Sequence, residues 1–292
     1  MLRIDACATL YFFRLFPKRA GARRLPILMY HSVSPTPGSG TNTYYDTVTT
    51  PSVFAEQMVI LRDNGYDAVT LDQGWSMLTK GIPPERRPVV LTFDDGFRDF
   101  YTNAFPVLDR FGFRATMFLP TAFIGRAAQE FKHRTCLTWN EVRELHKSGV
   151  EFGSHTVSHP QLRSLTLAEI ESELARSKDT LEQKLGEAVR SFSYPYAFPE
   201  ADWEFRSAIR GLLASTGYQQ GVSTIIGTAS LKHDSFFLPR LPVNSHDHMR
   251  LFRAKLEGSY DWLHAAQYLS KLLVPAARKM FSSKQSTIGA RN

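Results

Sequence analysis

Apolar residues along the chain fall into short continuous or alternating runs, separated by longer amphipathic stretches. Short apolar runs bounded by glycine, proline or polar clusters are typical of buried strands, whereas a period near 3.6 residues indicates helices. The runs predicted as strands are 26–33, 68–71, 88–93, 115–119, 150–154, 190–194, 219–225 and 236–243. The stretches predicted as helices are 51–64, 73–80, 98–111, 138–147, 166–185 and 200–213.

The predicted helices have recognisable start signals. Thr50 precedes Pro51, and the pairs Thr138 with Glu141 and Thr166 with Glu169 have the spacing of capping boxes. Strands that alternate with helices predict βα units and a mainly parallel sheet. We therefore expect an α/β fold, a distorted and incomplete (β/α) barrel of about seven strands. Polar clusters follow several strands directly, at the rim where barrel enzymes gather their catalytic residues.

Composition adds little to this picture, but the distribution of charge does. The 292 residues have a net charge of +7, and the two cysteines, Cys7 and Cys136, are too few for a disulfide framework, which weakly favours a reducing compartment. Residues 1–24 carry six basic side chains against Asp5, and residues 261–292 carry five against Asp261. Since the middle of the chain is close to neutral, nucleic acid is a poor partner for it.

The two ends are predicted as segments distinct from the body. We divide the chain into a basic amphipathic segment (1–25), a catalytic domain (26–260) and a basic C-terminal helix and tail (261–292). The apolar runs at 8–13 and 269–274 are shorter than the roughly 20 residues that span a bilayer, and Asp5 and Arg14 fit a signal peptide poorly. Basic residues beside Leu, Tyr and Phe suit an anionic membrane surface; partly docked, solvated segments are the alternative. A membrane-associated or cytoplasmic location is expected, with export and oligomeric state left open.

Two polar clusters carry candidate chemistry. Asp94 and Asp95 end an apolar strand; Asp-Gly is a common turn pair, but two adjacent acids raise each other's pKa unless a cation lies beside them. His155 and His159 follow another strand, and on a helical turn this spacing brings both imidazoles to one face. Asp95, His155 and His159 together form a two-histidine, one-carboxylate set that leaves open positions on a bound metal ion. Asp94 would then be free to act as general base.

A third cluster is Tyr194-Pro195-Tyr196. Proline fixes the backbone there and would present the Tyr196 amide to a developing oxyanion; the alternative is an ordinary strand end.

The motifs 92–96, 155–159 and 194–196, with the entry strand Leu28–His31, resemble the polysaccharide deacetylase family. This is carbohydrate esterase family 4, the NodB-homology domain, in its exopolysaccharide-deacetylase branch, and the resemblance covers about residues 26–245. It implies a distorted (β/α) barrel that hydrolyses N-acetyl groups, usually on N-acetylglucosamine units, while some relatives cleave O-acetyl esters. The implied roles are Asp94 as base, Asp95, His155 and His159 as ligands of Zn²⁺ (or Co²⁺ or Ni²⁺), and the Tyr196 amide in the oxyanion hole.

The chain departs from the family pattern at two roles. Ser193 stands where many relatives have an arginine that orients the base, and Arg240 is our candidate for that function from a later strand. The late Leu-x-x-His motif of the general acid has no match. His246 and His248 are candidates for the acid by position and His31 by its strand end; His31 and Pro195 are also candidate substrate contacts.

Other readings are weaker or remain open. An Fe(II) oxygenase shares the ligand type but normally has an all-β fold, and a glycosidase needs carboxyls that face each other rather than strand neighbours. An O-acetyl esterase or an inactive carbohydrate-binding relative remains an alternative.

Overall fold

The computed structural model describes residues 3–12, 23–36, 46–81 and 85–269. The strands are β1 (Ile27–Tyr30), β2 (Ser32–Val33), β3 (Val48–Thr49), β4 (Tyr66–Val69), β5 (Arg87–Phe93), β6 (Thr116–Leu119), β7 (Glu130–Phe131), β8 (Arg134–Thr135), β9 (Glu151–Ser154), β10 (Ser191–Ser193), β11 (Gln220–Ile226) and β12 (Leu238–Pro242). The helices are α1 (Ile4–Cys7), α2 (Pro51–Asp63), α3 (Leu71–Lys80), α4 (Phe105–Phe111), α5 (Trp139–Lys147), α6 (Leu167–Leu185), α7 (Trp203–Ser215) and α8 (Met249–Leu256).

Seven parallel strands form a closed ring. Its order is β1, β12, β11, β10, β9, β6 and β5, and β5 pairs back with β1 in the register Leu28 with Leu91 and Tyr30 with Phe93. Strand β4 pairs with the first half of β5 and lies outside this ring. The predicted α/β barrel of about seven strands is confirmed, one strand short of the eight of a complete (β/α) barrel.

The alternation of side chains along the strands divides the core into two layers. On β5, Val90 belongs to a cluster with Ile27, Phe118 and Leu238, whereas Leu91 belongs to the larger cluster that packs against the helices. Because side chains alternate in a strand, polar residues that continue the Val90 face point into the barrel. This geometry directs the residues at the end of β5 towards the interior of the ring.

Most helix boundaries follow the predicted signals. The capping boxes of Thr138 with Glu141 and Thr166 with Glu169 are confirmed, and Thr70 with Gln73 forms another. The stretch predicted as one helix over 98–111 is a π-helix at Phe100–Ala104 followed by α4. Pro106 lacks the N–H that would bond four residues back, so the regular ladder cannot run through this point.

The sequence did not indicate the antiparallel hairpin of β7 and β8, the parallel pair β2 and β3, or helix α8. Two-residue strands are too short to display a period, and α8 depends on contacts made by the whole fold.

The two ends of the described chain pack on each other. Arg3 bonds Asp247 at 2.9 Å, the Tyr260 hydroxyl donates to Asp5 at 2.6 Å, and the Trp262 indole donates to Thr9 at 3.0 Å. The remainder of the predicted basic ends, 13–22 and 270–292, lies outside the described residues. Within the described parts, none of the helices has the length and apolarity that crossing a bilayer requires.

Candidate active site

The ends of several ring strands bring the predicted residues to one rim. Because the ring is parallel, everything that follows a strand's carboxyl end lies on the same side of the barrel. The Asp94 N–H donates to the carbonyl of Tyr30 at 3.1 Å, which places His31 beside the acidic pair. The site residues and their positions are His31 after β1, Asp94 and Asp95 after β5, His155 after β9, Tyr196 after β10 and Arg240 within β12.

Asp95, His155 and His159 form a compact buried trio. Their ligand atoms lie within 4.8 Å of one another, and Asp95 Oδ1 is 3.7 Å from His155 Nε2 and 3.3 Å from His159 Nε2. His155 Nδ1 bonds the Ser193 carbonyl at 2.8 Å, and this contact turns Nε2 towards Asp95. Burial lowers the pKa of His155 to about 4 and that of His159 to about 3, so both rings are neutral and able to bind a metal ion near pH 7.

The backbone around this trio adopts unusual conformations. Asp95, Thr156, His159 and Tyr196 have φ angles of 72°, 69°, 55° and 58°, in the left-handed region that favours glycine. Each such residue costs roughly 1–3 kcal/mol and persists only where the surrounding contacts enforce it. These turns direct the three ligands to one point.

The histidine loop is therefore not the helical turn that the sequence predicted. Thr156 and His159 break any helical path, and the His159 N–H donates to the Thr156 hydroxyl at 3.0 Å. Glu173 of α6 accepts the N–H groups of Val157 and Ser158 at 2.8 and 2.9 Å and the Ser158 hydroxyl at 2.9 Å. The two imidazoles converge because a helix carboxylate clamps the loop between them.

Asp94 and Arg240 form a buried, two-pronged ion pair. Arg240 donates to both carboxylate oxygens at 2.8 Å, and also to the Ser193 hydroxyl at 3.1 Å and the Thr92 hydroxyl at 3.2 Å. The Ser193 hydroxyl lies 3.3 Å from both Asp94 oxygens. Burial raises the pKa of Asp94 and is the largest single influence, but the charge and hydrogen bonds of Arg240, with the nearby His155 and His31, together outweigh it and hold that pKa well below its usual value. Arg240 thus reaches Asp94 from β12, as its sequence position suggested.

A cavity of about 400 Å³ opens over these groups. His31, Asp94, His155, His159 and Tyr196 line it. Burial lowers the pKa of His31 despite the two nearby carboxylates. Among the described residues, no acceptor is bonded to the Tyr196 N–H.

Three other predicted residues are not brought to this cavity. His246 is half-exposed and lies 3.2 Å from Asp46, because Asn244 and Asp247 fold its loop back on itself. His248 accepts the Leu251 N–H as the N-cap of α8. Pro195 is buried and does not line the cavity.

Lys132 and Gln267 are among the cavity-lining residues that sequence reasoning missed. Lys132, on the tip of the β7–β8 hairpin, lies 3.0 and 3.1 Å from the Asp95 oxygens. Gln267 lies in the predicted C-terminal segment, accepts the Ile226 N–H at 3.1 Å and donates to the Thr224 carbonyl at 2.9 Å. Neither carries a motif, and both reach the site only through tertiary packing.

The fold and the site together define a parallel-barrel hydrolase whose reactive groups gather at the carboxyl rim. The family model for polysaccharide deacetylase matches residues 81–221, and the protein YxkH of Bacillus subtilis (strain 168), whose name assigns it to the polysaccharide deacetylases, is 33% identical over 236 residues, 80% of this chain and 77% of YxkH. The chain belongs to the polysaccharide deacetylase family. Membership implies a carbohydrate substrate and a hydrolytic deacetylation.

Two further relatives extend the comparison. The poly-β-1,6-N-acetyl-D-glucosamine N-deacetylase of Staphylococcus aureus (strain MSSA476) is 24% identical over 202 residues, 66% of this chain and 67% of that protein. A Streptococcus pyogenes deacetylase, PplD, solved in complex with acetate, superposes with a TM-score of 0.70 at 25% identity, over 80% of this chain and 99% of PplD.

The matched family range does not contain the whole site. It includes Asp94, Asp95, His155, His159 and Tyr196, but His31 and Arg240 lie outside 81–221. Strands β1 and β12, which carry the chain into and out of the ring, supply these two residues.

Proposed function

We propose that this protein hydrolyses N-acetyl groups of a polysaccharide built from N-acetylglucosamine units, with the help of a divalent metal ion. One observation carries the proposal: an ionised carboxylate, Asp94, lines a cavity of about 400 Å³ together with His155 and His159, two members of the buried Asp-His-His trio. The substrate class is supported by the name of the S. aureus relative, and acetate in the PplD complex is the product expected of this chemistry.

The trio fits a divalent ion by its chemistry. One carboxylate and two neutral imidazoles are a common donor set for Zn²⁺, and Co²⁺ and Ni²⁺ accept the same ligands. His155 is already oriented by its bond to the Ser193 carbonyl. Such an ion supplies polarisation of the acetyl carbonyl and lowers the pKa of a bound water.

The protein's own groups then divide the remaining work. Asp94, kept ionised by Arg240, accepts the proton of the attacking water. The Tyr196 N–H has no acceptor among the described residues and belongs to a residue that lines the cavity, so it would donate to the oxyanion. The bond from acetyl carbon to water oxygen forms, the amide C–N bond breaks, and the sugar amine leaves.

We assign proton donation to the leaving amine to His31, which is neutral before the reaction because burial lowers its pKa, and which would first receive the proton that Asp94 takes from the attacking water. Among the described histidines outside the trio, His31 is the one that lines the cavity. It follows Tyr30, whose carbonyl accepts the Asp94 N–H. His246 does not itself line the cavity and bonds Asp46, which does, and His248 caps the N-terminus of α8.

Acetate release from β-1,6-linked N-acetylglucosamine oligomers tests the proposal. Wild type and Asp94→Asn would each be assayed after chelation and after addition of Zn²⁺ or Co²⁺, with Asp109→Asn, an exposed acid of α4, as matched control. We expect metal-dependent release by wild type and control, and loss of at least a hundredfold in Asp94→Asn while metal binding persists.

Each other result would count against a part of the proposal. Release only from O-acetylated glycans would make the protein an esterase. Metal binding without release from any acetylated glycan would favour a carbohydrate-binding role. Wild type that binds no metal would contradict the site itself.

We also propose that the terminal segments contact an anionic membrane surface. Large apolar side chains are exposed on both described ends, and the Trp262–Thr9 bond holds those ends together. Gln267 on the same C-terminal segment lines the cavity, so this apolar face adjoins the site. The adjoining sequences 13–24 and 270–292 carry basic residues and no acid, which complements anionic lipid. The exposed side chains are Ile4, Tyr11, Phe12, Tyr268 and Leu269.

A further inference from the structure

The hairpin of β7 and β8 holds a lysine over the candidate metal site. Lys132 and His133 form its tip, with φ angles of 51° and 59°, as a two-residue hairpin turn of the primed type requires. Phe131, directly before the tip, stacks on Phe123 at 4.2 Å and meets the His159 ring edge-on at 5.1 Å. The backbone of Lys132 is therefore anchored against the loop that carries a ligand.

The Lys132 ammonium contacts two of the three candidate ligands. Its Nζ lies 3.1 and 3.0 Å from the two oxygens of Asp95 and 3.5 Å from His159 Nε2. Asp95 is 3% exposed, whereas the lysine side chain is 41% exposed. The buried Asp95 carboxylate is thus neutralised by a cation that is partly exposed to solvent. The Lys132 ammonium can therefore move away and be replaced by another cation.

A metal ion and this ammonium cannot hold the same ligands together. Zinc binds carboxylate oxygen and imidazole nitrogen at about 2 Å, so an ion between Asp95 and His159 would lie almost in contact with Nζ at its present position. Both groups are positive, and both require the electron pairs of Asp95. One must leave when the other binds.

We propose that Lys132 competes internally with the metal ion for Asp95 and His159. The inference rests on the proposed metal site, and it concerns how strongly that site binds. In the absence of an ion, Lys132 pairs with Asp95, so that this buried carboxylate is not left without a positive partner. On metal loading the ammonium swings away over the Tyr196 ring, whose centroid is 5.8 Å from Nζ, and remains at the wall of the cavity.

Metal affinity and thermal stability, measured on three variants, test this competition. Lys132→Met removes the charge at similar length, Lys132→Arg retains a charge, and Arg134→Met removes a cation of the same hairpin that faces Asp99 at 3.7 Å instead. Affinity for Zn²⁺ and Co²⁺ would be measured by competition with a chromophoric chelator, and melting temperature by calorimetry with and without metal.

We expect Lys132→Met to bind metal about tenfold more tightly than wild type, because a competing charge is gone. Its melting temperature should fall in chelator and match wild type when metal is saturating. Lys132→Arg and Arg134→Met should retain wild-type affinity within about twofold.

Equal or weaker metal binding by Lys132→Met, in a series whose wild type binds metal, would overturn this inference and leave the proposed function standing. Failure of wild type and all variants to bind metal would overturn both.

Discussion

Asp94 and Arg240 illustrate at the residue scale how a buried charge is tolerated. Their side chains are 4% and 0% exposed, and the guanidinium meets both carboxylate oxygens. Removing one partner of a buried pair typically costs about 3–5 kcal/mol, because the other charge is left without compensation. The same contact lowers the pKa of Asp94. The stability of the fold and the ionisation of Asp94 therefore depend on the same two hydrogen bonds from Arg240.

We predict that Arg240→Met lowers both stability and turnover. The unfolding free energy near pH 7 should fall by about 3–5 kcal/mol, and kcat should fall more than KM changes, because Arg240 does not line the cavity. Urea denaturation and acetate release measure the two effects. As control, Asp94→Asn combined with Arg240→Met should recover much of the stability but no activity.

The pH dependence of this variant has a definite sign. In wild type the folded pKa of Asp94 lies below its unfolded value, so its stabilising contribution is present above about pH 4 and is lost as the pH falls through the folded pKa. In Arg240→Met burial raises that pKa, so protonation at lower pH favours the folded state. The stability gap between the two proteins should therefore narrow below about pH 5. A gap that widens on acidification would contradict this account of the pair.

At the scale of elements, α6 positions the histidine loop. The Glu173 carboxylate accepts hydrogen bonds from two backbone N–H groups and one hydroxyl in the loop between His155 and His159. The left-handed turn at Thr156 would otherwise relax towards an ordinary extended conformation and separate the imidazoles.

We predict that Glu173→Ala weakens metal binding about tenfold, as loss of an outer support of a metal site typically does. The matched control is Glu171→Ala, which removes an exposed acid on the opposite side of α6. This variant should bind metal like wild type. Chelator competition gives the affinity, and circular dichroism shows whether α6 remains intact. Unchanged affinity in Glu173→Ala would mean that the loop holds its shape without the clamp.

The elements also mark how far the sequence can predict the site. Sequence motifs predict the aspartate pair, the two histidines and Tyr196, because each of these follows an apolar strand directly. Arg240 was a candidate only because it ends a strand. Lys132, Glu173 and Gln267 had no such signal, since their contacts cross from a hairpin, a helix and a terminal segment to residues distant in sequence. Local sequence patterns therefore predict the site residues at strand ends. The residues that reach the site from a hairpin, a helix or a terminal segment are determined by tertiary packing.

At the scale of the whole molecule, the two described ends pack on each other, and Gln267 of the C-terminal segment lines the cavity. Arg3, Asp5 and Asp247 join the first described residues to the loop before α8, and Lys255 is buried against Asp247 at 2.7 Å. On the same N-terminal segment, Tyr11 and Phe12 are exposed. If the ends bind a bilayer as proposed, Gln267 connects the C-terminal segment to the cavity.

We predict that the protein floats with vesicles containing about one third anionic lipid and not with neutral vesicles, because the apolar face and basic ends act together. Tyr11→Ser combined with Phe12→Ser should reduce flotation severalfold, while Leu167→Ser, which removes an exposed apolar residue of α6, should not. Binding that survives removal of both 1–24 and 261–292 would refute a role for these segments.

The way the ring closes has a consequence for the protein during its synthesis. Strand β12 lies between β1 and β11, and it brings Arg240 to Asp94. A nascent chain that has left the ribosome only as far as β11 contains every motif residue, yet its barrel has an open seam and Asp94 has no guanidinium partner. The closed ring and the Asp94–Arg240 ion pair therefore form only after β12 has emerged, when strands β1 to β11 have already been made.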